Sequence, residues 1–444
     1  MTRSLALITC LLLSFAGVSR AAPVTARARR LARAVMRDNA TLLSRNRAGF
    51  AAKAELLASS PFIYYRAAAG RFYAYLQRGI HRTARYRALT KVLINGDPHI
   101  NGNTGPLRGK RWGMIDQDEA GHPAPFTVDP MRWAAGVFLA AAEHGLSARD
   151  ARAMVETFLE AYVDGLRRYP KRSKLDKPIA DLVKGSRRAK RRSLIEDKLQ
   201  RTGAFKTDAG TKRIEGGERA ELVDATRRFI AQLPAKQRRK LERYEISDIV
   251  DRVGRGGGSR GLRRVRVSLV LRATRGQRDR RGKALIIELK EQPPSPARVF
   301  GASPVAEDDA ERVIAMRRRQ GAHGKLDGFV KHRGVSFSVV EKRAGEVELE
   351  ASRITDKDFR VALAKADGAG MAYAHARSGI NASASKTAKA ILADIDGASS
   401  FGGKQAFVSE LVRRAQRAAR VMTAQHETYV GGALDMIRQQ LGSQ

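Results

Sequence analysis

Residues 254–271 have the sequence GRGGGSRGLRRVRVSLVL, a glycine-rich run followed directly by a strand pattern. From Arg264 to Leu269, polar and apolar residues alternate with a period of two, which is typical of a half-buried strand. Residues 284–289, ALIIEL, form the next apolar run and predict a returning strand. The centre of the chain is therefore predicted to be a sheet entered through a glycine loop.

The glycine run has the spacing GxGSxG, formed by Gly256, Gly258, Ser259 and Gly261. Glycines let the backbone approach a phosphate closely, so that its N–H groups can bind the phosphate oxygens. A dinucleotide-binding fold requires a helix directly after such a loop, whereas a strand follows here. A glycine loop that joins two strands is the arrangement of protein kinases, and a flexible linker is the alternative.

Lys290 ends the returning strand. Side chains alternate across a strand, so Ile286, Glu288 and Lys290 share one face and Ile287 and Leu289 the other. From this face a lysine can reach phosphates beneath the glycine loop. A solvated lysine at a strand end is the ordinary alternative.

Two acidic segments follow predicted strands earlier in the chain. Val92 to Ile94 leads into Asn95-Gly96-Asp97-Pro98-His99, and Arg111 to Ile115 leads into Asp116-Gln117-Asp118-Glu119. One aspartate after a buried strand can accept a hydroxyl proton, and a second can hold Mg²⁺ with hard oxygen ligands. Ordinary turn chemistry is the alternative for the acids, and a structural histidine is the alternative for His99.

Helical periodicity surrounds this β-rich part and predicts an α+β fold. The predicted helices are Ala26 to Leu57, Phe62 to Leu76, Met131 to His144, Ala148 to Leu166, Ala220 to Leu233, Phe359 to Ala376, Lys386 to Ile395 and Phe407 to Leu441. The lysine- and arginine-rich stretch from Arg167 to Arg192 is predicted to be an exposed loop with little core. A second hairpin is predicted between Val335 to Val340 and Glu346 to Ala351.

The N-terminus predicts export to the periplasm or the exterior. Arg3 precedes a largely apolar run from Leu5 to Val18, and small residues at 19 and 21 predict a signal peptide cleaved after Ala21. A buried N-terminal helix is the alternative. The run is shorter than the about 20 residues of a membrane span, and no later stretch approaches that length. Cys10 is the only cysteine, so cleavage would leave no thiol for disulfides, nucleophiles or zinc.

The chain carries a formal net charge of +39, which predicts attraction to polyanions. Export argues against a genomic nucleic acid as the partner, and aromatics at 6% are too few for single-strand stacking platforms. Anionic lipids, cell-wall polymers or phosphorylated small molecules fit the predicted compartment. The alternative is that the arginines only solvate the surface.

Several motifs resemble those of the bacterial family called domain of unknown function 2252. The matching segments, in the family's order, are Ser60 to Arg66 (SPFIYYR), Gly96 to His99 (GDPH), Asp116 to Ala120 (DQDEA), Asp129 with Arg132, Gly256 to Gly261, Lys290-Glu291 with Ser295, and Ala374 to Gly379 (AHARSG). They span nearly the whole chain after the predicted signal peptide.

This resemblance implies a two-lobed fold like that of protein kinases and aminoglycoside phosphotransferases, with ATP and Mg²⁺ as cofactors. Asp97 would be the catalytic-loop aspartate with His99 beside it, Asp116 and Asp118 would hold the metal, and Lys290 would contact phosphates under the glycine loop. The catalytic motif precedes the glycine loop, an order that implies a circular permutation.

The implied division of the chain follows from that order. It comprises a signal peptide at 1–21, an N-terminal helical arm at 22–46, a helical lobe with the acidic motifs at 47–245, a β-rich nucleotide lobe at 246–352, and C-terminal helices at 353–444 that complete the helical lobe.

The chain departs from the family pattern in two places. The family places a metal-binding asparagine where Gly102 stands, and a shift of one residue would bring Asn103 into that role. Gln117 replaces the usual phenylalanine. No acid is marked as the partner of Lys290, for which Glu311 is one candidate.

Two functions follow from these expectations. One is an exported kinase-like phosphotransferase that acts on an unknown small molecule or envelope component. The other is a degenerate, non-catalytic relative that uses its basic surface to bind an anionic envelope polymer or lipid.

Overall fold

A computed structural model describes residues 25–79, 83–107, 109–254, 257–272, 279–347 and 349–442. The predicted signal peptide at 1–21 and Gly256 lie outside the described residues. The fold is α+β, as the sequence predicts.

The first part of the chain is helical, with four short strands. Its elements are α1 (Ala26–Asp38), α2 (Ala40–Arg45), α3 (Arg47–Leu57), α4 (Pro61–Ala67), α5 (Ala69–Arg78), α6 (Ala84–Ala88), β1 (Lys91–Leu93), β2 (Thr104–Leu107), β3 (Arg111–Met114), β4 (Pro123–Pro125), α7 (Val128–Glu143) and α8 (Ala148–Arg168). Strands β1 and β4 pair with each other, and so do β2 and β3.

The middle of the chain carries the main sheet. Its elements are α9 (Lys177–Arg188), α10 (Arg191–Lys198), β5 (Thr211–Arg213), α11 (Gly216–Gln232), α12 (Ala235–Leu241), β6 (Tyr244–Arg252), β7 (Arg264–Leu271), β8 (Leu285–Glu291), α13 (Asp309–Gln320), β9 (Gly328–His332) and β10 (Val335–Glu341). The six strands form an antiparallel sheet in the order β5-β6-β7-β8-β10-β9.

The last part of the chain is again helical. Its elements are α14 (Lys357–Arg377), α15 (Ala384–Asp396), α16 (Lys404–Thr428), a π-helical turn at Tyr429–Ala433 and α17 (Leu434–Gly442). None of the described helices combines the length and the apolar character that crossing a bilayer requires.

The sheet has two different faces. Val267, Ile287 and Leu289 lie on a face that packs against α11 through Leu222 and Phe229. The opposite face carries Ile286 and Glu288, which line a cleft. The predicted alternation along β8 is therefore confirmed. The sheet unit also includes residues before 246, because β5 and α11 belong to it.

The helical core is built around the contact between α8 and α14. Gly165 and Gly368 let these helices approach closely: a Cβ on Gly165 would lie 2.8 Å from the Cβ of Ala372, and one on Gly368 would lie 2.9 Å from the N of Tyr162. The same core includes Met131, Trp133 and residues of α16. This core supports the loops that end at the cleft.

Several sequence predictions of secondary structure are wrong in detail. The helix predicted over Phe62 to Leu76 is divided into α4 and α5, and the one over Phe407 to Leu441 is interrupted by the π-helical turn. The single helix expected over Ala26 to Leu57 is three helices, because Asn39 and Asn46 both leave the helical conformation. Asn46 also caps α3 by accepting from the N–H of Gly49. The stretch from Arg167 to Arg192 is not only a loop, since it contains α9 with buried Ile179 and Val183. Its basic side chains face outward and mask this amphipathic pattern.

The second hairpin also has a different partner. Strand β10 pairs with β9 and β8 rather than with residues 346–351. The turn at Arg333 and Gly334 has positive φ at both residues, which matches the twist of a two-residue hairpin loop. Strand β9, GFVKH, is only five residues long and ends in Lys331 and His332, so the sequence shows little apolar alternation there.

We expect Gly368→Ala to lower the free energy of unfolding by about 1–3 kcal/mol, because the new methyl group has no room between α14 and α8. Gly185→Ala in α9 is the control, since no atom lies within 4 Å of the added Cβ. It should leave stability unchanged or raise it by up to about 1 kcal/mol. Urea unfolding of both variants checks this, and equal losses would contradict the packing described.

Candidate active site

A cleft of about 970 Å³ lies between the sheet face that carries Glu288, the glycine loop, and the loops after β1 and β3. Asp97, His99, Asp116, Asp118, Gly258 and Ser259 line this cleft. Lys290 binds Asp118 from the sheet side. Residues from three distant stretches of the sequence therefore share one cavity.

Asp97 is held by the buried Arg132. The Nε of Arg132 donates to Oδ1 of Asp97 at 2.7 Å, and its Nη2 donates to the same oxygen. The other oxygen, Oδ2, lies 3.7 Å from Nε2 of His99. Burial raises the pKa of Asp97 to about 6, although the charge of Arg132 opposes this. Asp97 is thus ionised at neutral pH and has one oxygen available to accept a proton.

Aromatic rings surround Arg132 on the helical side. Its guanidinium carbon lies 4.3 Å from the ring centroid of Tyr65 and 5.2 Å from that of Phe72, and Nη2 donates to the Tyr65 carbonyl at 3.3 Å. Cation–π contacts and the ion pair compensate for the loss of water around this fully buried arginine. Arg132 consequently holds Asp97 in one orientation.

The backbone beside Asp97 is fixed by Asp129, which lies one turn before Arg132 on α7. Its carboxylate accepts from the N–H of Asn95 at 2.6 Å and of Gly96 at 3.0 Å. Gly96 has a φ of +87°. A Cβ there would also meet the backbone of Glu119, so only glycine fits this turn.

His375 supports Asp129 from the other side. Its Nε2 lies 2.9 Å from Oδ2 of Asp129, and its Nδ1 lies 2.9 Å from the hydroxyl of Tyr162. Since the carboxylate requires a donor, Nε2 carries the proton and Nδ1 accepts from Tyr162. Three residues later, Ser378 accepts from the N–H of Leu93 in β1 through its carbonyl oxygen at 2.8 Å. The segment AHARSG thus positions the loop that carries Asp97.

His99 is a neutral side chain in this site. Its Nδ1 accepts from the N–H of Asn101 at 3.2 Å, so the ring proton lies on Nε2, the atom nearest Asp97. Burial and the charges of Arg66 and Arg132 hold the pKa of His99 well below its ordinary value. His99 can therefore orient Asp97 but does not add charge.

Asp118 is the anionic partner of Lys290. One of its oxygens accepts from Nζ of Lys290, and the other accepts from Nε2 of Gln292 at 3.0 Å. Burial acts to raise the pKa of Asp118, but the charge of Lys290 holds it below the ordinary value. Glu311 does not fill this role, because it lies in α13 with an exposed side chain.

Asp116 is a cleft carboxylate with no basic hydrogen-bond partner among the residues that the structure describes. Its Oδ1 accepts from the N–H of Asp118 at 3.4 Å, and burial together with the charge of Asp118 raises its pKa. Nδ2 of Asn103 donates to the peptide oxygen of Asp116 at 3.3 Å. Within the described residues, Oδ1 of Asn103 is buried without a hydrogen-bond partner. Asp116 and Asn103 therefore hold unused oxygen ligands.

Both oxygens are of the type that a hard cation prefers. Asp116 lines the cleft, whereas Asn103 is buried and is not among the residues that line it, so the two do not complete a cation site. In the described part of the chain, no three or more histidine, cysteine, aspartate or glutamate side chains lie close enough together to hold a metal ion. Mg²⁺ commonly takes one or two protein ligands and completes its shell with water and substrate phosphates. Both oxygens of Asp118 are already engaged, so its geometry favours a role as the anchor of Lys290 over that of a metal ligand.

The glycine loop is held by α3. Nζ of Lys53 donates to the carbonyl of Gly258 at 2.6 Å, and Nδ2 of Asn46 donates to that of Gly261 at 2.9 Å. Gly261 has a φ of +86°, and a Cβ there would lie 2.8 Å from the carbonyl carbon of Gly49. Burial lowers the pKa of Lys53 to about 8. The sequence alone did not assign these α3 residues to the site, because they lie inside an apparent helix.

Glu119 is a further acid that the sequence did not assign to the site. It lines the cleft, and burial together with the charges of Asp97 and Asp118 raises its pKa well above the ordinary value. The sequence motifs also include Asp129, Arg132 and His375 but indicate no role for them. Their contacts follow only from the fold.

Comparison with known proteins relates the chain to a bacterial family. The family model described as an uncharacterized protein conserved in bacteria (DUF2252) matches residues 45–431. That range contains all the cleft residues discussed above. No curated protein and no solved structure matches the chain.

Replacing Asp129 tests the support of the Asp97 loop. Asp129→Asn replaces one carboxylate oxygen by an NH2 donor and removes the negative charge, so either Gly96 or the pair Asn95 and His375 loses its acceptor. We expect the free energy of unfolding to fall by about 1–3 kcal/mol. The same change at Asp164, a half-exposed partner of Lys404, should cost about 0–1 kcal/mol. Chemical unfolding measures both values. Asp129→Asn with wild-type stability would show that the loop does not depend on this carboxylate.

Proposed function

The chain belongs to the DUF2252 family, and from the geometry of its cleft we propose that it is an exported, ATP- and Mg²⁺-dependent phosphotransferase of kinase-like fold. Its acceptor would be a small molecule or a component of the cell envelope. The observation that carries this proposal is the position of Asp97, which presents a free carboxylate oxygen to the same cavity as the glycine loop and the Lys290–Asp118 pair.

The sheet side of the cleft suits nucleotide phosphates. Gly257, Gly258 and Ser259 line it, and Nη2 of Arg264 donates to the hydroxyl of Ser259 at 2.8 Å. The charges of Asp116 and Asp118 raise the pKa of Lys290 although its burial opposes this, so the lysine stays charged. Backbone N–H groups and cations at one place are what a polyphosphate requires.

The helical side suits the acceptor. Asp97 would accept the proton of an acceptor hydroxyl on Oδ2, while Arg132 retains Oδ1 and His99 limits the rotation of the carboxylate. Asp116 and Asn103 would hold Mg²⁺, which supplies charge neutralisation on the phosphates when bound. Positioning and electrostatics would then provide most of the rate acceleration.

The proposed kinase-like fold would be circularly permuted. In chain order the Asp97 loop precedes the glycine loop and Lys290, the reverse of ordinary kinases. A permutation requires neighbouring chain ends. In support, Val35 of α1 packs in one cluster with Tyr429 and Ile437 near the other end of the chain.

A second candidate function is non-catalytic binding of an anionic envelope polymer or lipid. It is favoured by Gly102, which stands where the family has a metal-binding asparagine, and by the net charge of +39. Binding of this kind would weaken steeply with salt, because the charges on both partners are screened. Anion binding that is insensitive to salt would remove this candidate.

Purified protein should bind ATP with Mg²⁺ at submillimolar concentration. Asp116→Asn should weaken the Mg²⁺-dependent part of the affinity at least tenfold, because it removes the charged ligand. Asp97→Asn should keep binding but lower phosphate release by about 10²–10⁴-fold. Calorimetry and a phosphate-release assay measure these effects, with Asp164→Asn as the control. No binding at millimolar ATP and Mg²⁺ would refute the proposal.

The rate should also depend on pH through Asp97. Because its pKa is raised to about 6, Asp97 is protonated below this value and cannot accept a proton, so kcat/KM for phosphate release should rise as pH increases through about 6. The measurement is a pH profile from 5 to 8, with protein unfolding followed in parallel. A rate that falls as pH rises would contradict this role.

A further inference from the structure

Arg66 is a cation of the cleft to which neither the sequence nor the proposed function assigns a role. It lies at the end of α4, in the segment SPFIYYR, and lines the cleft beside Asp97 and His99. Across the cavity it faces the glycine loop: its Nη2 is 3.7 Å from where a Cβ on Gly257 would lie. Arg66 therefore lies between the glycine loop, the proposed phosphate-binding element, and Asp97, the proposed base.

The hydrogen-bond partners of Arg66 are neutral. Nη2 lies 3.4 Å from the carbonyl oxygen of Asn101, and with the Asn101 amide turned so that Oδ1 faces Arg66, Nη1 donates to it at 3.0 Å. Nε is buried and has no partner in the described part of the chain. Within those residues, Arg66 also forms no ion pair with a carboxylate.

Arg66 is half-buried and has no carboxylate partner among the described residues, whereas arginines that are buried in this fold do have one. Arg132 pairs with Asp97, Arg252 with Asp208 at 2.7 Å, and Arg312 with Asp309 at 3.2 Å. A guanidinium removed from water without an anion is costly, so such a group normally acquires a counter-charge. Burial is the main cause of the lowered pKa of Arg66, and the charges of Asp97 and Asp116, which do not bind it directly, only partly offset it. Its missing partner is an anion that enters the cleft.

The position of Arg66 identifies which anion fits. The phosphoryl group that is transferred must lie next to Asp97, whereas Lys290 is placed at the sheet side with Asp118. A guanidinium offers two parallel donors that match two oxygens of one phosphoryl group. The cation beside Asp97 is therefore suited to the terminal phosphate, and Lys290 to the inner phosphates.

We propose that Arg66 is a further catalytic residue that binds the terminal phosphoryl group of the nucleoside triphosphate and stabilises its charge during transfer. This inference rests on the proposed function. In the step, the bond between the γ-phosphorus and the β–γ bridging oxygen breaks, and this oxygen leaves with the electron pair as part of the nucleoside diphosphate. The acceptor oxygen forms the new bond to phosphorus, and its proton passes to Oδ2 of Asp97. Arg66 contacts the equatorial oxygens throughout.

The test compares two nucleotides that differ by the terminal phosphate. The affinities of ADP and of a non-hydrolysable ATP analogue, each with Mg²⁺, are measured by calorimetry for wild type and Arg66→Gln. We expect Arg66→Gln to weaken the triphosphate analogue at least tenfold and ADP less than twofold. Arg188→Gln removes the same charge from an exposed position on the cleft wall, so it should change both affinities by the same small factor.

The outcomes separate this inference from the proposed function. If wild type binds neither nucleotide, the proposed function fails. If wild type binds both and Arg66→Gln weakens both equally, or neither, the role of Arg66 is overturned while nucleotide binding stands. Arg66→Lys keeps the charge without the planar fork and serves if the glutamine variant does not fold. Arg66→Lys should reduce, but not abolish, the ratio of triphosphate affinity to ADP affinity. A ratio equal to that of wild type would contradict a guanidinium contact to two phosphoryl oxygens.

Discussion

The site depends on one turn of helix. Asp129 and Arg132, three residues apart at the start of α7, hold the loop after β1 in complementary ways: Asp129 binds two backbone N–H groups, and Arg132 binds the side chain of Asp97. Both side chains are fully buried, so breaking either contact would leave a desolvated charge or an unpaired donor. The helical core is thereby connected to the carboxylate of Asp97 in the cleft.

The carboxylates of the cleft are only partly neutralised by the protein. Asp118 has Lys290, and Asp97 has Arg132, yet burial still raises the pKa of Asp97, Asp116 and Glu119. Arg66 shows the opposite imbalance on the same cavity. The charges of Asp97 and Asp116 favour the charged form of Arg66, but burial outweighs them and its pKa is lowered. Perturbed groups of both signs on one cavity are typical of functional sites.

The parts that could be predicted from sequence are those where local pattern decides structure. The alternation in β7 and β8 correctly predicts that Ile286, Glu288 and Lys290 share the face of the sheet that borders the cleft. The acidic turns after β1 and β3 also lie where the sequence predicts them. Helix α9 was missed because lysine and arginine dominate its composition and hide the two buried positions. The partner of Lys290 was missed because Asp118 comes from a loop over 170 residues earlier, and the contacts of Lys53 and Arg66 likewise depend on tertiary packing.

The contact of α3 with the glycine loop also connects the cleft to a distant part of the chain. Arg47 at the start of α3 donates to the carbonyl oxygens of Gln440 and Leu441 in α17 at 3.1 and 2.5 Å, so the helix that holds the glycine loop is itself held by α17. Lys53 and Asn46, which bind the loop carbonyls, lie on or next to this same helix. A change in α17 could therefore alter the glycine-loop side of the cavity without touching any residue that lines it.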